Sequence, residues 1–214
     1  MRTSHTLIAA LGATMLSACN MVVSNEPMLT RGPDSPMMKP GIWVDATKAD
    51  CEYDAATSPE TWPECADPAI VTADGKFFTY EEKDKSWRSI SVVLGDGDPT
   101  VVQVSMPDEM RQLNPAAPNY LYLALRPTET DAAGYITAIS TWLMVCGPTD
   151  KEGETQSMDD AVTKDPFEGM TMVEGNCMPD DVAALQNAAA ESELLDDEPG
   201  GARWLRAADD VELD

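Results

Sequence analysis

From position 41 onward the chain alternates between apolar and polar residues with the two-residue period of a β-strand. Residues 41–45 form a short apolar run around Trp43. Residues 69–72 and 77–81 flank Asp74-Gly75 and predict a hairpin with Asp-Gly in its turn. Residues 87–94 put Arg88, Ile90, Val92 and Leu94 on one face and Trp87, Ser89, Ser91 and Val93 on the other. After the turn cluster Gly95-Asp96-Gly97-Asp98, residues 100–106 predict the partner strand of a second hairpin. Residues 119–126 set Leu121, Leu123 and Leu125 opposite Tyr120, Tyr122 and Ala124. Residues 135–146 predict a longer strand ended by Gly147-Pro148. The polar, acidic stretch 149–166 predicts a loop, and 167–173 a last strand.

The period changes over residues 179–195, where Val182, Leu185 and Ala189 form a helical stripe. Pro179 suits the first helical position, and Asp180 and Asp181 suit the N-terminal end of the dipole. Glu198-Pro199-Gly200-Gly201 stops the helix, and 202–206, with Trp204 and Leu205, docks back on the domain. Clustered strands with one late helix predict an α+β fold: an antiparallel β-sheet domain with one C-terminal helix packed on it. The alternative is a β-sandwich or small barrel plus the helix. No repeat of solenoid or propeller period is present.

The first forty residues carry no such pattern. Arg2 precedes an apolar run over residues 7–15, which is the layout of a secretory signal peptide. The run is too short to span a bilayer, which needs about 20 apolar residues. It ends in Leu16-Ser17-Ala18-Cys19, which matches the bacterial lipobox, so Cys19 is the expected lipidation site and the first residue of the mature chain. Two or more acyl chains anchor a protein stably where one does not. Asn20 follows, where an aspartate would favour inner-membrane retention. The expectation is a cell-envelope protein, lipid-anchored and periplasm-facing, on the outer membrane rather than the inner. The predicted organisation is a signal peptide over 1–18, a lipidated Cys19 with a Pro- and Met-rich tether over 19–39, one periplasmic domain over 40–207 and an acidic tail over 208–214. Pro27, Pro33, Pro36 and Pro40 make that tether read as an extended spacer. Its Met21, Met28, Met37 and Met38 are too irregular for a copper site.

Export gives the remaining cysteines a role. Cys51, Cys65, Cys146 and Cys177 are an even set in an oxidising compartment, and proximity in sequence pairs Cys51 with Cys65 and Cys146 with Cys177. Their spacings are not those of a zinc site. The only histidine, His5, lies in the leader. A mature chain without histidine excludes Ser-His-Asp and Cys-His catalysis and every His-ligated metal centre. The formal charge of −24, one unit more negative once Arg2 leaves, disfavours nucleic acid and anionic membrane surfaces as partners. The partners expected are the membrane, through the lipid anchor, and an envelope protein.

Other candidate chemistry is weak. Asp74, Asp96 and Asp98 lie in Gly-containing turns, but they lack the ligand frame of a calcium loop. The acidic pairs Glu81-Glu82 and Asp108-Glu109 are what a chain with 38 Asp and Glu residues yields by chance. Trp43, Trp62, Trp87, Trp142 and Trp204 read as core rather than a stacking face. Neither a catalytic motif nor a cofactor motif is present, and the chain leans away from being an enzyme. Gly41-Ile42-Trp43, the run from Thr61 to Ala66, the run from Tyr120 to Thr128 and the Cys146-Gly147-Pro148 end are similar to uncharacterised lipoproteins of sphingomonad-type alphaproteobacteria. That resemblance implies no activity. The function expected is a membrane-anchored, non-enzymatic interaction or scaffolding role. The alternative is binding of a small ligand or cation in a pocket between sheet and helix.

Overall fold

The computed structural model describes residues 20–32, 35–148, 163–173, 176–196 and 198–213. Cys19 and the leader fall outside the described residues. Among the described residues there are twelve strands in chain order. They are β1 (Val23–Ser24), β2 (Gly41–Asp45), β3 (Ala69–Val71), β4 (Phe77–Glu81), β5 (Ser86–Ile90), β6 (Val92–Leu94), β7 (Thr100–Ser105), β8 (Tyr120–Thr130), β9 (Ile136–Leu143), β10 (Met170–Val173), β11 (Asn176–Pro179) and β12 (Gly200–Arg206). Helix α1 (Asp108–Leu113) follows β7, and helix α2 (Val182–Glu193) follows β11.

Hydrogen bonding runs in the order β5-β4-β3-β2-β12-β9-β8-β7-β6. The two ends of that path, β5 and β6, are separated only by Ser91, and Ile90, Val92 and Leu94 keep one face across it. They are therefore two halves of one strand that leaves β4 and joins β7. The sheet closes on itself there as an antiparallel up-and-down barrel of eight staves: β2, β3, β4, β5/β6, β7, β8, β9 and β12. The expected antiparallel sheet with a helix is present, in its barrel form. Closure removes the exposed strand edges that an open sheet would leave.

Alternation along each stave sorts side chains into lumen and exterior. Trp43, Val71, Leu94, Val102, Val104, Leu125 and Ile139 belong to the inner cluster. Ile42, Val44, Ile70 and Phe78, from the same or adjoining strands, point out and are covered by Trp62 and Ala66 of the loop between β2 and β3. The Cys51–Cys65 disulfide closes that loop, with Cα atoms 5.7 Å apart. On the other flank α2 lays Ala184, Leu185, Ala188 and Ala189 over Val101, Tyr122, Ala124 and Trp142. Trp142 donates its indole N–H to the Ala189 carbonyl at 2.9 Å. The second disulfide, Cys146–Cys177 with Cα atoms 5.5 Å apart, ties the exit of β9 to the hairpin β10–β11 that leads into α2.

Four sequence expectations change. Val182 is 43% exposed, so the buried stripe is Ala184, Leu185, Ala188, Ala189 and Ser192 instead. Pro179 ends β11 rather than opening α2, and Asp181 caps the helix by accepting from the Ala184 N–H at 2.8 Å. Gly200 and Gly201, expected beyond a helix stop, begin β12, which pairs with both β2 and β9 and completes the barrel. Gly41 opposite it has φ +138°, and a Cβ there would lie 2.3 Å from the Arg206 carbonyl oxygen. Residues 20–32 and 35–39 are packed rather than spacer-like: Val22 is fully buried, β1 pairs with β8, and Lys39 donates its N–H to the Ile136 carbonyl. The apolar residues Val22, Val23 and Leu29 outweigh the prolines in deciding that segment's fate.

Candidate functional site

The lumen of the barrel is not filled. It holds a partly enclosed cavity of about 410 Å³. Eight-stranded barrels lie at the size where side chains alone fill the interior or one small ligand fits, and this one leaves the space. Trp43, Val71, Phe77, Val92, Val104 and Leu125 are among the residues that make most of the wall apolar.

The two ends differ. One end is closed by residues that precede β2. Met38 packs into the inner cluster. Trp43 donates its indole N–H to the Lys39 carbonyl at 2.9 Å, and Trp204 donates to the Pro40 carbonyl at 3.0 Å. The Lys39 ammonium lies 4.3 Å from the Trp204 ring centroid and 3.1 Å from Asp131. That hydrogen bond from Lys39 holds the Asp131 carboxyl below its ordinary range. These contacts tie three elements across the floor.

The other end, where β2 finishes and β12 begins, is polar. Asp45, Thr47, Lys48, Asp67, Thr79, Thr141 and Glu198 line it. Thr79 stands opposite Ala69 and Thr141 opposite Gly200 in the strand registers. Neither threonine hydroxyl has a hydrogen-bond partner among the described residues. Asp45 accepts from the backbone N–H of Thr47 at 2.6 Å, which fixes the turn out of β2. Asp67 follows a single turn of 3-10 helix (Glu64–Ala66) with φ 42°, its N–H donating to the Glu64 carbonyl at 3.2 Å. Aspartate is among the few residues that enter this left-handed region readily. Burial pushes its carboxyl up to about 6, and the charges of Asp45 and Glu64 add to the shift. Asp67 forms no salt bridge among the described residues.

The residues singled out by sequence do not converge on this site. Trp43 lines the cavity, whereas Trp62 and Trp142 are buried in the outer layers. Asp74 pairs with Lys76, Asp98 with Arg126, and Asp96 accepts from the Ser35 hydroxyl. Among the described residues no three His, Cys, Asp or Glu side chains are grouped to hold a metal ion. No described helix is long and apolar enough to cross a membrane. Where a pocket between sheet and helix was expected, Leu185, Ala188 and Ala189 are fully buried among the described residues. The inward stripes Ile90/Val92/Leu94 and Leu123/Leu125 were legible as faces, but nothing in the sequence said that they enclose a void. Asp67, Thr79 and Thr141 carried no signal at all. No family model matches the chain, and neither a curated protein nor a solved structure matches it.

Proposed function

We propose that the protein binds a small, mainly apolar molecule inside its barrel, and that it does so at a membrane surface, held there by lipid on Cys19. The cavity carries this reading. Its volume falls in the range of ligand pockets, about 300–1,000 Å³, and its apolar wall with a few polar groups at one end is their usual make-up. Unfilled apolar volume forfeits packing contacts and costs stability, which an occupant restores.

The scaffolding role ranks below it. That role asks for a continuous apolar face on the surface. Among the described residues the most exposed large apolar side chains, Leu113 and Leu194, lie on different elements, and single exposed leucines are ordinary.

The binding reading is tested by titrating the protein with N-phenyl-1-naphthylamine, a neutral dye that brightens in apolar surroundings. Saturable one-to-one enhancement is expected, and Val104→Trp, which fills the lumen, should weaken it at least about tenfold. No saturable signal, or a signal untouched by Val104→Trp, contradicts the reading. The anchor is tested by mass spectrometry of the mature N-terminus. Acyl mass on Cys19 is expected, and an unmodified terminus at or after that residue removes the anchor from the account. Because Asn20 is already bound to the domain, through Cys146 N–H to its carbonyl at 2.8 Å and its own side chain to the Gly147 carbonyl at 3.1 Å, such a lipid would hold the barrel against the bilayer without a spacer.

A further inference from the structure

If the barrel holds a ligand, as proposed above, the chemistry at the polar end of the cavity selects the ligand's head group. Among the described residues, the charged side chains lining the cavity are Asp45, Asp67 and Glu198 against the cation Lys48. Just inside them stand the hydroxyls of Thr79 and Thr141, without partners among the described residues, in a wall that is otherwise apolar. Two unspent hydroxyls and an acidic rim make one end of an apolar tunnel rich in hydrogen-bond acceptors and short of positive charge.

We propose that the occupant is an amphiphile whose chain lies along Trp43, Val71, Phe77, Val92 and Leu125 and whose head, at the Asp45–Asp67 end, is a non-anionic hydrogen-bond donor, with a primary amine as the best-fitting class. A carboxylate head would meet the carboxylates of Asp45 and Asp67 in a partly desolvated opening, where like charges repel more strongly than in water. An ammonium head meets acceptors there, and its tail keeps the apolar contacts. Asp67 is the residue placed to make the distinction. It lines the cavity, lies half-buried at the rim, and forms no salt bridge among the described residues. Its raised proton affinity, caused by burial and by Asp45 and Glu64, is what a carboxylate without a counter-charge shows.

The experiment is calorimetric titration of the full protein with three probes that share one tail, decylamine, decan-1-ol and decanoate, each below its micellar concentration. At about pH 7.5 Asp67 is ionised, and decylamine should bind at least about tenfold tighter than decanoate, with decanol between them. Asp67→Asn keeps the shape, and asparagine tolerates the same backbone conformation. It should narrow the amine-to-acid ratio severalfold while leaving decanol within about twofold. Lowering the pH to about 5 should narrow the amine-to-alcohol ratio in the unmodified protein by protonating Asp67, since neither decylamine nor decan-1-ol changes charge there, with Asp45, Glu198 and Lys48 the remaining charged groups lining the opening among the described residues and Glu64 beside it. That measurement reads the effect even if Asp67→Asn fails to fold. Decanoate binding as tightly as decylamine, or an amine preference that neither the substitution nor the pH change moves, overturns the head-group assignment and leaves the cavity as a ligand site. Failure of decanol as well as both charged probes to bind overturns the cavity reading and this assignment with it.

Discussion

Asp67 shows how one side chain links fold stability to the site. Its carboxyl titrates near 6 in the folded protein against an ordinary value of 3.8. Between about pH 4 and about pH 6 the folded chain therefore holds a proton that the unfolded chain has released, so stability falls as pH rises through that window and stays lower above it. Asp67→Asn removes the buried charge. The variant should gain on the order of 2 kcal/mol at neutral pH relative to the unmodified protein and lose that advantage near pH 4. Urea denaturation midpoints across the window check this, and two parallel pH profiles would count against it. Asp67 was invisible in the sequence for a physical reason. It is one of 38 acidic residues, and only the fold decides which of them is desolvated. Cys51, Cys65, Cys146 and Cys177 were legible, because export, even count and short separation constrain disulfides without reference to the rest of the chain.

At the scale of elements, α2 depends on its packing. An isolated helix of twelve residues is marginal in water, and most of its stability comes from the face it buries. Leu185 is fully buried against the outer wall of β7, β8 and β9. Leu185→Ala should cost about 2–5 kcal/mol, read as a lowered denaturation midpoint with an unchanged slope. An unchanged midpoint would make the helix an appendage. Arg126 adds to the seam by pairing with Glu193 at 2.7 Å, but both side chains are too exposed for that pair to decide the outcome. The helix was legible from its period, but its rotation was not. Val182 lost to Ala184 and Ala188 because the close approach of α2 to the sheet favours small side chains, which a pattern of large apolar residues does not reveal. The strands β3 to β8 were legible from alternation and turn chemistry. β1 and β12 were not. Val22-Val23-Ser24 looks like part of a proline-rich spacer, and Gly200-Gly201 looks like a helix stop, until long-range partners pair them.

At the scale of the whole molecule, the barrel exists because distant segments meet. β12, near the C-terminus, joins β2 to β9, and Ser91 alone links β5 to β6. Residues 35–40 then close one end of the tube, leaving the other to loops and acidic side chains. Local pattern could yield the staves and a barrel as an alternative, but closure and the empty lumen are properties of that long-range assembly. The central claim is that a ligand enters this lumen and not the helix–barrel seam. Methyl NMR of the protein titrated with decan-1-ol tests it most directly. The methyl groups of Val71, Val92, Val102, Val104, Leu125 and Ile139 inside the barrel should shift together along one saturable curve, while Val22, Ile42, Ile70 and Leu185 in the outer layers stay in place. Shifts centred on Leu185 and Val22, or no saturable shift of the inner methyls, would contradict the account.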